Sequence, residues 1–167
     1  VEKGKIALYG STEIGAKFSV LNKLQQLFPV YEITGLIPDT ILLTAMMKKD
    51  AEELNRIKRM GKITTSVVGK VFDFLSDQKK KDDFLVDSDE NPITIGMIKS
   101  KINYWLAEAG AKNPEQTIFA IGRDAGIPHS QGNDADIIQL GKTIVFDIFP
   151  CENGGGYFYD FTRTWCV

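Results

Sequence analysis

Ile144-Val145-Phe146-Asp147-Ile148-Phe149 and, beyond a glycine-rich turn, Tyr157-Phe158-Tyr159-Asp160-Phe161 decide how this chain is read. Each half is an apolar strand pattern interrupted by one carboxylate. Asn153-Gly154 between them is a two-residue hairpin signal, because both residue types accept positive φ. Counting outward, Glu152 faces Gly155, Pro150 faces Tyr157 and Asp147 faces Asp160. That register puts the carboxylates directly opposite, with Cβ atoms about 5 Å apart. Like charges so placed repel. A hard divalent cation between them removes the conflict, and two cations about 3.5–4 Å apart are bridged by such groups. Two other readings stay open here: each Asp is satisfied by backbone groups near the strand ends, or the two share a proton and titrate as a pair. Gly154-Gly155-Gly156 also allows a bulge.

Upstream, Thr117–Ile121 predicts another strand, followed by a polar Gly/Asp loop over Gly122–Asp136. Before that, Thr94 caps a helix with Ile95, Ile98, Ile102, Trp105, Leu106 and Ala109 inward, and Gly110 stops it. Asp50–Leu75 predicts a long helix with the stripe Leu54, Ile57, Met60, Ile63, Val67, Val71 and Phe74. Glu52, Glu53, Arg56, Lys58, Arg59 and Lys62 lie mainly off the stripe and read as a solvated face. Lys79–Asn91 reads as a polar connector whose lysines face no acidic partner. Helices followed by antiparallel strands indicate an α+β layer architecture.

The first residues read differently. Lys5–Tyr9 and Val30–Ile33 predict strands around a helix carrying Ile14, Phe18, Leu21, Leu24 and Leu27, capped by Ser11 or Thr12. This unit is too small for a complete domain and resembles the tail of one. The expected division is therefore 1–36, the tail of an amino-terminal α/β domain with its linker, and 37–167. Pro38 opens the second region, and Asp39–Met46 predicts a helix.

The totals bound the function classes. The 167 residues are 43% hydrophobic and 25% charged, with net charge −2. Such a balance favours neither nucleic acid nor an anionic membrane, and no apolar run reaches the roughly 20 residues of a bilayer span. Two cysteines, Cys151 and Cys166, suit a reducing cytoplasm better than a disulfide scaffold. With His129 as the single histidine, a protein-only zinc site of His and Cys is excluded. Any metal here rests on carboxylates.

Three stretches then combine: Ile127-Pro128-His129-Ser130, Gly141-Lys142-Thr143-Ile144-Val145-Phe146-Asp147 and Tyr159-Asp160-Phe161-Thr162-Arg163-Thr164-Trp165. Together they resemble the pita-bread metallopeptidases, which include Xaa-Pro aminopeptidase, prolidase and methionine aminopeptidase, with creatinase as a metal-free relative. Met47-Lys48-Lys49 with Glu52-Glu53-Leu54 is similar to the family's approach to its first catalytic helix. Val1–Gly35 is similar to the end of the amino-terminal domain in the proline-directed branch.

The resemblance implies that residues 37–167 are the front half of a pita-bread catalytic domain. It implies a metalloaminopeptidase or Xaa-Pro dipeptidase that hydrolyses Xaa-Pro bonds at the amino terminus of short peptides through water held by two divalent metals. Manganese is the expected metal, with cobalt, zinc and iron as alternatives. Asp147 and Asp160 would be metal ligands, with Asp160 bridging. His129 would contact the substrate carbonyl, and Thr162 would hydrogen-bond a ligand carboxylate. Arg163 reads as a structural ion-pair partner. The family's further His and two Glu have no counterpart before Val167, so a longer parent is expected and this piece alone is expected to be inactive. A non-catalytic peptide- or protein-binding domain on the same fold is the rival, and the two aspartates argue against it. The long helix leaves a homodimer open.

Overall fold

The computed structural model describes residues 4–10, 12–35 and 40–167. Contacts divide the chain into two units, Val1–Asp50 and Ala51–Val167. The expected division at 36/37, together with Pro38 and Asp39, lies outside the described residues.

In the first unit, β1 (Gly4–Leu8), α1 (Ile14–Leu27) and β2 (Tyr31–Gly35) form the expected strand–helix–strand unit, followed by α2 (Thr40–Met47). The strands are parallel, with Ile6 opposite Ile33. Gln25 ties the helix to the second strand: its amide donates to the Tyr31 carbonyl at 2.7 Å and accepts from Ile33 N–H at 2.9 Å. The cap differs from expectation. Glu13 occupies it with no side-chain bond, so Thr12 stands one residue too early to reach the first turn, and Ser11 lies outside the described residues.

The second unit holds α3 (Ala51–Ser76), β3 (Lys79–Lys81), β4 (Phe84–Val86), α4 (Ile95–Glu108), β5 (Ala111–Lys112), β6 (Ile118–Ile121), β7 (Thr143–Ile148), β8 (Cys151–Glu152) and β9 (Phe161–Cys166). The antiparallel sheet β6-β7-β9 is its platform. Side chains alternate across a strand. Phe119, Ile144, Phe146 and Ile148 therefore share one face, where they pack with Met60, Val67 and Val71 of α3 and Ile98, Ile102 and Leu106 of α4. Burying each such side chain contributes about 1.5–3 kcal/mol. Ile118, Ala120, Val145 and Asp147 belong to the opposite face.

Several expectations are corrected in this unit. Leu54 is 45% exposed, whereas Thr64, Val68 and Leu75 are buried. The buried stripe of α3 is thus rotated from the one expected, and the Thr64 hydroxyl is satisfied by donating to the Met60 carbonyl at 2.8 Å. On α4, Thr94 caps as expected, accepting from Met97 N–H at 3.3 Å, but Ala109 is exposed. The lysine connector is a hairpin: Lys79, Lys80 and Lys81 pair with Val86, Leu85 and Phe84. Burial of Leu85 and Val86 recruits the lysines as their backbone partners, against low local strand propensity. Lys81 also pairs with Glu90 at 2.5 Å, so its expected lack of an acidic partner does not hold.

Candidate metal centre

Asp147 sits near the end of β7, half-buried, on the sheet face away from the helices. Its ladder partner is Thr162, not Asp160. The expected register is therefore shifted by two residues. The turn is wider than Asn153-Gly154: Glu152 N–H donates to the Tyr157 carbonyl, Cys151 bridges to Phe158, and Tyr159 N–H donates to the Pro150 carbonyl. Asn153–Gly156 thus forms a four-residue loop, in which Gly154, Gly155 and Gly156 all have positive φ.

The Glu152 side chain explains the wider loop. It accepts Tyr157 N–H at 3.0 Å and receives the Arg56 guanidinium in two hydrogen bonds, at 3.1 and 2.5 Å. A Cβ on Gly156 would fall 2.1 Å from Glu152 Oε2. Closing the turn around this carboxylate needs the extra residues and a bare glycine. Arg56 and the Tyr157 N–H hold the Glu152 carboxyl below the ordinary glutamate range. Glu53 accepts a hydrogen bond from the Tyr157 hydroxyl, and Arg56 lies over the Tyr157 ring. Part of the charge run expected as solvated is a clasp between α3 and this hairpin.

A slip of two residues preserves the face of every side chain. Asp160, just before β9, remains on the same face as Asp147, as its diagonal neighbour. Partial desolvation first, and then the Asp147 charge, push the Asp160 carboxyl above the ordinary aspartate range, although the residue stays mostly exposed. Thr162 donates its hydroxyl to Asp147 Oδ1 at 2.5 Å. Arg163 stacks over the Phe161 ring at 3.8 Å and donates to the Thr162 carbonyl, and among the described residues it makes no ion pair.

His129 is exposed on the loop after β6, with φ +60°. It shares a cavity of about 320 Å³ with Asp147, walled by Ile118, Ala120, Pro128 and Val145. The loop is anchored beneath it. Phe119 N–H donates to the Gln131 carbonyl, and Gly132 passes so close that a Cβ would meet the Phe119 carbonyl oxygen at 2.1 Å. The structure thus brings together all four residues singled out in the sequence: Asp147, Asp160 and Thr162 by hydrogen bond or proximity, and His129 through the cavity. Among the described residues, no group of three or more His, Cys, Asp or Glu is disposed to hold a metal. Cys151 is buried and Cys166 exposed, both as free thiols.

Two contacts have no strand-level signal. One is the Arg56–Glu152 clasp, which joins residues 96 apart. The other is the ring of Tyr159 lying against Gly61 of α3, 2.8 Å from where a Cβ would stand. A glycine inside an otherwise apolar helical stripe is the one local hint of the second.

The family model of metallopeptidase family M24 matches residues 55–167. The chain belongs to metallopeptidase family M24. The sheet with α3 and α4 is the M24 pita-bread architecture, as the motifs implied. Solved structures of similar fold include a prolidase from Pyrococcus furiosus, at 20% identity and a TM-score of 0.69, covering 97% of this chain and 44% of that one. An Xaa-Pro dipeptidase from Bacillus anthracis, at 16% identity and a TM-score of 0.76, is covered to 40% by 98% of this chain. An X-Pro aminopeptidase from Thermotoga maritima matches at 20% identity and a TM-score of 0.69, over 98% of this chain and 40% of that one. The chain thus spans less than half the length of these M24 structures. A search of curated proteins found no match. No described helix is long and apolar enough to cross a membrane.

Proposed function

We propose that this M24 chain supplies the aspartate half of a two-metal site that hydrolyses Xaa-Pro bonds at the amino terminus of peptides. The observation that carries the reading is the placement of Asp147 and Asp160 on one open sheet face, diagonal to each other across the β7–β9 ladder. Two acidic groups this close are costly unless a proton or a cation lies between them. Acceptor-only carboxylates suit hard or borderline divalent cations, manganese foremost. Divalent cations bound there would supply Lewis acidity and lower the pKa of a coordinated water.

The chain's own residues would prepare that site. Thr162 orients one Asp147 oxygen and leaves the other free. Asp160, less constrained, faces both Asp147 and solvent. His129 stands across the cavity, where its imidazole would meet a substrate carbonyl. The apolar wall of Ile118, Ala120 and Val145 excludes water from one side. The proline-directed specificity rests on the Xaa-Pro peptidases among the similar folds. The further ligands and the general base are expected outside these 167 residues.

The test is manganese and cobalt titration of the full-length protein, with cleavage of Xaa-Pro dipeptides and longer Xaa-Pro peptides. Metal binding and hydrolysis that both collapse in Asp147→Asn and Asp160→Asn support the proposal. Peptide binding without hydrolysis, unaffected by either substitution, favours the non-catalytic binding domain instead.

A further inference from the structure

Gly61 lies in the middle of α3, buried, where glycine is the poorest helix former after proline. Nothing in the helix itself calls for it. The reason is across the interface: a Cβ at Gly61 would stand 2.8, 3.0 and 3.2 Å from Cε2, Cζ and Cδ2 of Tyr159. One edge of the ring occupies the place a side chain at Gly61 would take. Gly69, two turns on in the same helix, is the internal contrast, since a Cβ there meets nothing within 4 Å.

Tyr159 is held from a second side. Its N–H donates to the Pro150 carbonyl at 3.0 Å, and its ring packs against the hydrophobic core. The next residue, Asp160, precedes β9 and has no ladder partner of its own, because pairing begins at Phe161 opposite Ile148. Asp160 is therefore aimed by its neighbours rather than by the sheet. Alternation then turns the Tyr159 ring toward α3 and the Asp160 carboxylate toward Asp147.

We infer that Gly61 is a positioning residue for the carboxylate pair: it seats Tyr159 on α3 and so sets where Asp160 stands relative to Asp147. This deepens the two-metal reading and rests on it for its importance, though not for its geometry. A metal site tolerates displacement of its ligands of only about 0.5 Å, and any side chain at Gly61 pushes the ring by more than a loose contact absorbs.

The experiment compares Gly61→Ala, Gly69→Ala, Tyr159→Leu and Gly61→Ala with Tyr159→Leu in the full-length protein. Crystal structures read the Asp147–Asp160 separation, and manganese(II) titration reads affinity. Gly61→Ala is expected to move the Asp160 carboxylate by more than about 0.5 Å and to weaken manganese binding about 10–100-fold. Gly69→Ala does neither, although it adds the same methyl group to the same helix. On the Tyr159→Leu background, Gly61→Ala has no further effect, since the ring it would displace is gone. An unmoved Asp160 in Gly61→Ala, or an equal loss in Gly69→Ala, overturns the inference. If Gly61→Ala does not fold, Tyr159→Leu decides: an unshifted Asp160 there overturns it equally. A wild-type protein that binds no manganese overturns the proposed function, while the separation still decides this inference.

Discussion

Asp147 lies opposite Thr162 across the β7–β9 ladder, and the Thr162 hydroxyl donates to Asp147 Oδ1 at 2.5 Å. A short hydroxyl-to-carboxylate hydrogen bond is among the stronger ones. It restrains the carboxylate's rotation and engages only one of its two oxygens. Thr162→Val, which keeps the shape and removes the donor, is expected to weaken manganese binding of the full-length protein about 10–100-fold. Thr162→Ser retains most of the affinity. Isothermal titration of the three proteins checks this, and equal affinities would show that the bond has no part in metal binding.

The Arg56–Glu152 clasp makes stability depend on acid. Arg56, then the Tyr157 N–H, hold the folded-state Glu152 carboxyl below its ordinary value. A depressed acid contributes stability that is fully present above the unfolded-state value and is lost as pH falls through the folded-state value. Urea unfolding across that acid range should show a decline that is shallower in Glu152→Gln, the remainder belonging to Asp87 and Glu90, which are also held below their ordinary values. The contribution at neutral pH is modest, because both side chains remain partly in water.

Gly132 and Gly141 have nearly the same backbone, at φ +74° and +70°. They differ in what surrounds them. At Gly141 a Cβ meets nothing, so Gly141→Ala is expected to cost only the left-handed conformation, about 1–2 kcal/mol. At Gly132 the Cβ would meet the Phe119 carbonyl oxygen at 2.1 Å. Gly132→Ala should therefore cost clearly more than Gly141→Ala and loosen the loop that carries His129. Chemical denaturation gives the ranking, and backbone amide exchange at Ser130 and Gln131 reads the loop.

Phe146 is buried on the helix side of β7, with ring centroids 5.3 Å from Phe119 and 5.5 Å from Trp165. Its neighbour Asp147 points the other way. Phe146→Ala should destabilise the fold by about 3–5 kcal/mol through the cavity it leaves. Thermal unfolding measures this, and a change within measurement error would mean that the sheet does not rest on this aromatic cluster.

The sequence by itself determined the main elements of the second unit, α3, α4, β6, β7 and β9, and the family. Period-two alternation placed Asp147 and Asp160 on one face, and that conclusion survives any even-numbered slip of register. The Pro128-His129 loop and the Asp-x-Thr-Arg-Thr strand carried the family. Helix periodicity found α3 and α4 because their apolar faces repeat locally. Tertiary structure alone decided the register. Asn153-Gly154 is a sound two-residue turn on local grounds, but Arg56, 96 residues upstream, captures Glu152 and draws the loop out to four residues. It also drew Lys79–Lys81 into a strand and set Tyr159 on Gly61, since both depend on what is buried opposite rather than on local propensity. The carboxylate pair was legible because it follows from a period. Its exact spacing was not, because it follows from contacts between segments that the chain order keeps far apart.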